Sequence, residues 1–416
     1  MRASSWLCSS LCLAAAVACG GEWPTWRGPH QNGVALGSGY PTSWSKTENV
    51  AWVVDLPGKG ASTPVVSNDR LVLTAGVEGR NMVLCYSTAG RLLWQTPVGT
   101  EREGKHTKAT GANPSVITDG QQWYAYFKSG DLAALNGDGK IVWQLNLQEK
   151  YGADTLWWDL GTSPVLTRQG VVIAVMQSGP SYLASFDRQT GKELWKHDRN
   201  LDAPSEAAQS YSTPLVFTAD GRELLVVLGA DHVTAHDAAT GAEAWRVGGL
   251  NPGGEKFFRS IASPVLSGDV VVAPYARGST LTAIRLGGKG DVTSSQVVWS
   301  KSKLGADVPT PAALEGRVYL CTDRGEMHCL EGATGKSLWS GAVEKNRAAF
   351  SASPILADGR IYLTREDGKT FVLQQGDEFK QLAANELEGE FVVATPVLVD
   401  GKIYIRTLER LYCIGG

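Results

Sequence analysis

From Ser163 to Trp195 apolar and polar positions alternate in short runs broken by turn residues. Ser163-Pro164 opens the stretch, and Arg168-Gln169-Gly170 ends its first run. Val171 to Met176 follows, then a Ser178-Gly179-Pro180 turn, then Tyr182 to Phe186. Asp187-Arg188-Gln189-Thr190-Gly191 makes the last turn before Glu193-Leu194-Trp195. A period of two sends successive side chains to opposite faces, so this pattern predicts four short antiparallel strands. One such meander cannot bury both of its faces and needs a neighbour on each side.

The neighbours are in the sequence. The Ser/Thr/Asn-Pro opening recurs at Thr63-Pro64, Asn113-Pro114, Ser163-Pro164, Thr213-Pro214, Ser263-Pro264, Thr310-Pro311, Ser353-Pro354 and Thr395-Pro396, at intervals of 50, 50, 50, 50, 47, 43 and 42 residues. Proline at the start of a strand costs no central ladder bond and holds the preceding residue extended. A closing tryptophan recurs as Trp94, Trp143, Trp195, Trp245, Trp299 and Trp339, with Phe379 in that place in the seventh unit. Asp-Gly pairs at Asp119-Gly120, Asp220-Gly221, Asp358-Gly359 and Asp400-Gly401 join first strands to second, as tight hairpins require. Four strands per repeat of this length predict an all-β, eight-bladed β-propeller. The eighth unit, from Thr395 to Gly416, holds three strands at most. Its outer strand is expected from Asn49 to Asp55, where Trp52 stands in the docking position, closing the ring and removing an open edge.

Composition narrows the function. The formal charge is −3 over 416 residues and no Lys/Arg run occurs, which argues against a nucleic-acid binder. The chain starts Met1-Arg2, runs largely apolar from Trp6 to Ala18 and reaches Ala16-Val17-Ala18-Cys19. A basic residue, a short apolar core and a small-x-small site describe a secretory leader over 1–18, too short to span a bilayer comfortably. Cys19 allows a lipoprotein reading, with the lipid on Cys19 as the only membrane attachment; plain cleavage after Ala18 is the other. Residues 19–48 form an extension whose Trp23 and Trp26 are costly to leave in water, so it is expected to pack on the propeller of residues 49–416. Cys85, Cys321, Cys329 and Cys413 fall in predicted strands, as small buried hydrophobes. Cys321 and Cys329 flank Gly325 evenly, and a cross-strand disulfide between them is the alternative.

Candidate chemistry lies in the loops entering the innermost strands, which crowd one mouth of the channel. They carry Lys105-His106-Thr107-Lys108, Trp157-Trp158-Asp159, Glu206 to Tyr211, Lys256 to Arg259, Asn346-Arg347 and Glu388 to Phe391. Trp157, Trp158, Tyr211, Arg259, Arg347 and Glu390 are the candidate binding residues. The aromatics can stack on a planar group and the arginines can grip a carboxylate. The same residues suit a protein-binding rim, or simple packing between blade mouths. The six histidines come with no cysteine cluster for zinc, and there is no P-loop and no G-x-S-x-G elbow. His236 beside Asp237 is expected to pack.

The last turn of each unit carries a family resemblance. Ala235-His236-Asp237-Ala238-Ala239-Thr240-Gly241-Ala242-Glu243-Ala244-Trp245 matches the A-x-D-x-x-x-G-x-x-x-W tryptophan-docking motif of pyrroloquinoline quinone (PQQ)-type propellers. Ala184 to Trp195 and Cys329 to Trp339 are near matches. Trp23-Pro24-Thr25-Trp26-Arg27-Gly28-Pro29 is similar to the start of secreted bacterial PQQ-like repeat proteins. In size and repeat count the chain also resembles the propeller lipoprotein of the outer-membrane protein assembly machinery. The resemblance implies docking roles for Trp52, Trp94, Trp143, Trp195, Trp245, Trp299 and Trp339. It implies a cofactor-free monomer that binds an envelope protein, periplasmic or lipid-anchored, as a non-catalytic assembly scaffold. The alternative it leaves is a PQQ-dependent dehydrogenase oxidising an alcohol or sugar. That family holds calcium with Glu, Asn and Asp and carries adjacent cysteines. Here no Cys-Cys pair exists, and Asp159 and Asp307 match a calcium ligand by position only.

Overall fold

The computed structural model describes residues 21–219 and 221–415. The expected leader over residues 1–18, Cys19 and Asp220 lie outside the described residues. Among these residues the strands form eight antiparallel sheets arranged as the blades of a propeller. Blade three runs Val165–Leu166, Gly170–Val175, Tyr182–Asp187 and Glu193–Asp198, from the axis outward. Blade eight takes Val397–Val399, Lys402–Arg406 and Arg410–Ile414 from the end of the chain, and its outer strand is Val50–Asp55, paired antiparallel with Arg410–Ile414. Asp358 and Asp400 (φ 48° and 50°) precede Gly359 and Gly401 (φ 69° and 73°), the double positive-φ geometry of a tight hairpin.

The apolar core lies between blades. Val72 and Val83 of blade one pack with Trp123 and Ala133 of blade two, and Val172 and Leu183 of blade three with Leu225 and Val227 of blade four. Each thin sheet is therefore buried on both faces by its neighbours, as the repeat requires.

One local device recurs at the rim. Between third and fourth strands the register slips at a β-bulge, as at Ser185/Phe186, Ala235/His236 and Cys329/Leu330. The bulge leaves the tryptophan opposite a small residue: Trp195 faces Ser185, Trp143 Ala134, Trp245 Ala235 and Trp299 Ala283. A bulge re-aims the side chain beside it. Trp195 Nε1 donates to Ala238 O of the next blade (3.1 Å), Trp143 to Arg188 O (2.8 Å), and Trp94 to Gly137 O (3.0 Å). Trp52, Trp299 and Trp339 donate in the same way to Thr88, Gly332 and Gly376. The motif glycine is needed because a Cβ on Gly241 would sit 2.4 Å from the Trp195 ring, at φ +74°. Trp245 departs from this pattern: Gly290–Asp291, from an insertion in blade five, adds a fifth, parallel strand beside it. Its ring is buried and its Nε1 has no partner.

The bulge also accounts for the cysteines. Cys85, Cys329 and Cys413 occupy the small position facing Trp94, Trp339 and Trp52. All four described cysteines are free. Cys321 and Cys329 are the buried thiols expected; the alternative disulfide is ruled out by the register, which sets Cys321 opposite Met327 and Cys329 opposite Tyr319. His236 is fully buried between Gly241 O (3.0 Å) and Thr234 Oγ1 (2.9 Å), a packed ring rather than a proton shuttle.

Candidate functional site

A closed belt of hydrogen bonds encircles the channel. Thr63, Ser115, Ser163, Thr213, Ser263, Thr310, Ser353 and Thr395 each give a backbone N–H to the hydroxyl of the next, and Thr395 returns to Thr63, over 2.8–3.2 Å. These amides stand at the buried start of the innermost strands and need an acceptor. Serine and threonine supply it from the adjacent blade, which explains the Ser/Thr-Pro opening. Blade two differs: Ser115, after the proline, takes the belt position. Asn113 instead accepts from Thr110 N and Oγ1 at 2.8 and 3.2 Å.

Beneath the belt the N-terminal segment closes the channel. Trp26 lines the small axial cavity, about 140 Å³, together with the belt residues. Arg27 is buried and donates to Pro354 O (3.1 Å) and Pro311 O (2.8 Å). Burial lowers its guanidinium pKa to about 9, so it stays charged at neutral pH. Trp23 bridges Val66 in blade one, Pro24 O accepts from Thr118 in blade two, and Val34 bridges Leu356 in blade seven. Residues further on lie against the last blades, where Trp44 N donates to Asn385 Oδ1 (2.9 Å).

Above the belt the mouth is open, and four of the six candidates meet there. Trp158 Nε1 donates to Glu206 Oε1 (2.7 Å), and its backbone N–H to Tyr211 Oη (3.2 Å). Tyr211 donates onward to Gln209 Oε1 (2.9 Å), which also accepts from Trp157 N (2.9 Å). Burial pushes the Tyr211 phenol well up. Arg259 lies 3.6 Å from Glu206 and donates to Asp307 Oδ2 at 3.1 Å. Burial raises the Asp307 carboxyl pKa above the usual range, against the lowering pull of Arg259. The outer faces of Trp157 and Trp158 are 46% and 44% exposed, and that of Phe257 is 54% exposed.

The other candidates go elsewhere. Arg347 lines a separate cleft. Glu390 is bound to Arg410 (2.5 Å) and Tyr412 (2.7 Å) within blade eight, contacts that outweigh burial and hold its pKa low. Of the arginines expected to grip a carboxylate beside the aromatics, Arg347 is thus set apart and Arg259 is already engaged by Asp307. Trp157 and Trp158 are wall rather than floor, which is Trp26. The axial cavity is below the roughly 300–1,000 Å³ of sites that enclose such ligands.

Calcium fares no better. The Asp159 carboxylate accepts from Lys105 N (2.8 and 2.9 Å) and His106 N (3.0 Å), and it pairs with the buried Lys128 ammonium. No lone pairs are left for a cation that needs several oxygens. Among the described residues no three His, Cys, Asp or Glu gather as a metal set. Sequence reasoning placed Trp26 on the propeller but missed its place on the axis. The only signal was a charged Arg27 directly beside it.

A family model described as outer membrane protein assembly factor BamB matches residues 30–202, 180–293 and 288–382. The chain belongs to this family. The family's BamB of Shewanella oneidensis is 24% identical over 335 residues, covering 76% of this chain and 75% of that protein. The BamB structure from Moraxella catarrhalis superposes with a TM-score of 0.63 at 17% identity, over 88% of this chain and 99% of that one. A europium-containing methanol dehydrogenase superposes at 0.70 with 11% identity, over 95% and 98%. At these identities the two structural likenesses establish the shared propeller fold alone.

Proposed function

We propose that the protein is a non-catalytic binding or assembly scaffold of the bacterial cell envelope, working through the open mouth of the propeller. One observation carries the reading: Trp157 and Trp158 from one mouth loop and Phe257 from another stand about half exposed, over a channel closed from behind by Trp26. Aromatics held rigid at the backbone and open on one face are the usual anchors of protein interfaces. Family membership and the assembly-factor relatives support the same reading. Its partner is an envelope protein gripped by this rim. We read residues 1–18 as a leader, with Cys19 as a candidate lipid anchor, 19–48 as the segment that closes the channel, and the tryptophan ring as blade-to-blade docking. The mature protein then works as a monomer, periplasmic or tethered to the membrane.

The test is a titration of leader-free protein with PQQ and Ca²⁺ by calorimetry, alongside a dye-reduction assay with alcohols and sugars. The scaffold predicts neither heat nor turnover. It also predicts that cross-linked partners from envelope extracts disappear when Trp157, Trp158 and Phe257 are changed to Ser. Micromolar quinone binding with substrate-dependent dye reduction overturns it.

A further inference from the structure

The mouth holds a second feature that the aromatic wall does not use. Arg277, Lys303, Arg324 and Arg347 line a cleft of about 630 Å³ between blades five, six and seven, with Lys108 at its edge. The sequence scatters them. Arg277 sits in a turn of blade five, Lys303 just past that blade's last strand, Arg324 in a hairpin of blade six, and Arg347 in the loop to blade seven. The ring brings them to one opening. Lys108 is held by Glu366 (2.7 Å), but among the described residues no carboxylate lies within ion-pair distance of the other four. Four unpaired cations around one cleft stand out on a chain whose formal charge is −3.

The backbone is bent to put them there. Ala276 (φ 55°), Arg277 (φ 54°) and Lys303 (φ 62°) all take left-handed conformations that side chains disfavour. Such strain persists where surrounding structure imposes it and clusters at ligand clamps. The cleft's own carboxylates make no direct ion pair with the four cations, although Arg277 acts on Asp307 through space. Asp307 is engaged by Arg259, and Asp323 accepts the backbone N–H groups of Asp307 (2.8 Å) and Val308 (3.1 Å). Glu326 stands 4.0 Å from His328. Burial lowers the pKa of that imidazole, so it is uncharged at neutral pH.

We propose that this cleft binds an acidic peptide segment, its carboxylates on the four free cations. The volume suits a few residues rather than a lone ion. The presence of Asp323 and Glu326 among the cations favours a peptide over a polyphosphate. Peptide N–H groups can face those carboxylates, whereas a polyphosphate offers them no comparable donor. The proposal rests on the scaffold reading for the origin of the segment, but the binding is a property of the isolated protein.

The probe is a fluorescein-labelled hexa-aspartate peptide, titrated by anisotropy against leader-free protein. Expected are saturable binding that weakens with added salt and a loss of roughly tenfold or more in Arg324→Glu/Arg347→Glu, the size of losing charged hydrogen bonds. Lys140→Glu, an exposed charge reversal on blade two, leaves it unchanged. Both cleft residues are exposed, so the variant folds, which circular dichroism checks. Undiminished binding in the double variant overturns the cleft, as does no binding at all, or tripolyphosphate displacing the peptide at equal charge. Loss of envelope cross-links in the Trp157/Trp158/Phe257 variant with peptide binding intact separates the two sites. Cross-links retained in wild type without peptide binding removes the cleft and leaves the scaffold.

Discussion

The two ends of the channel are built from the same repeats and finished in opposite ways. At the closed end Arg27 gives its charge to backbone carbonyls of blades six and seven, and Trp23 is wholly buried against blade one. At the open end Trp157, Trp158 and Phe257 keep about half their surface in water, and Arg277, Lys303, Arg324 and Arg347 keep their charges unpaired. Rotational symmetry leaves the two faces different, one carrying the loops into the innermost strands and the other the hairpins from first strand to second. The difference is sharpened by one short segment that is not part of any blade. It consumes the inner-strand edges on one face and leaves the other to the loops. Stability is thereby concentrated below the belt and along the tryptophan ring, and exposed binding chemistry above it.

The comparison breaks most visibly if the buried indoles prove dispensable. Trp23→Ala, below the belt, and Trp195→Ala, between blades three and four, should each cost about 3–5 kcal/mol, read as a shift in denaturation midpoint. An unmoved midpoint for Trp195→Ala contradicts its docking role. An unmoved midpoint for Trp23→Ala means the closed end is merely draped.

A somewhat smaller effect comes from His236 in the packed ring. Burial, helped by Arg199, lowers its pKa from 6.5 to about 3. Above pH about 6.5 neither state takes up the proton, and the stability is fully present. As pH falls toward about 3 the unfolded chain binds a proton that the folded state refuses, so stability drops. The slope is up to about 1.4 kcal/mol per pH unit, or roughly 2 kcal/mol between pH 6 and 4.5. His236→Gln should flatten that part of the profile. Parallel profiles for both proteins mean the ring is protonated in place.

What the sequence shows clearly is what repeats. The period of two, the Ser/Thr-Pro openings and the tryptophans each recur along the chain, so eight blades and the closing strand from Val50 to Asp55 follow from local signals. Where a single unit departs, the local signal misleads. Asn113-Pro114 looks like the other openings, yet Ser115 makes the belt contact. Trp245 has the best-formed motif, yet an insertion from the next blade covers it. The candidate site was least legible because its members are set by loop paths. Arg259 and Arg347 are both mouth arginines by position, and the ring sends them to different clefts. Arg277 and Lys303 carry no pattern at all, and only the turn geometry of blade five brings them together.

The smallest expected change in stability is also the sharpest test of the open end. Trp157→Ser removes an indole that is 46% exposed and whose backbone N–H, bound to Gln209, is untouched. Surface substitutions away from caps and packed contacts move stability by about 0.5 kcal/mol or less. The denaturation midpoint should therefore stay near wild type, while cross-linking to the envelope partner falls sharply, since exposed aromatics at an interface centre carry much of its energy. A midpoint lowered by about 3 kcal/mol, as for a buried indole, would make Trp157 part of the packed body. A normal midpoint with undiminished cross-linking would move the partner away from this wall. A variant with wild-type stability that no longer holds its partner places the function of the open end on the face that the N-terminal segment leaves uncovered.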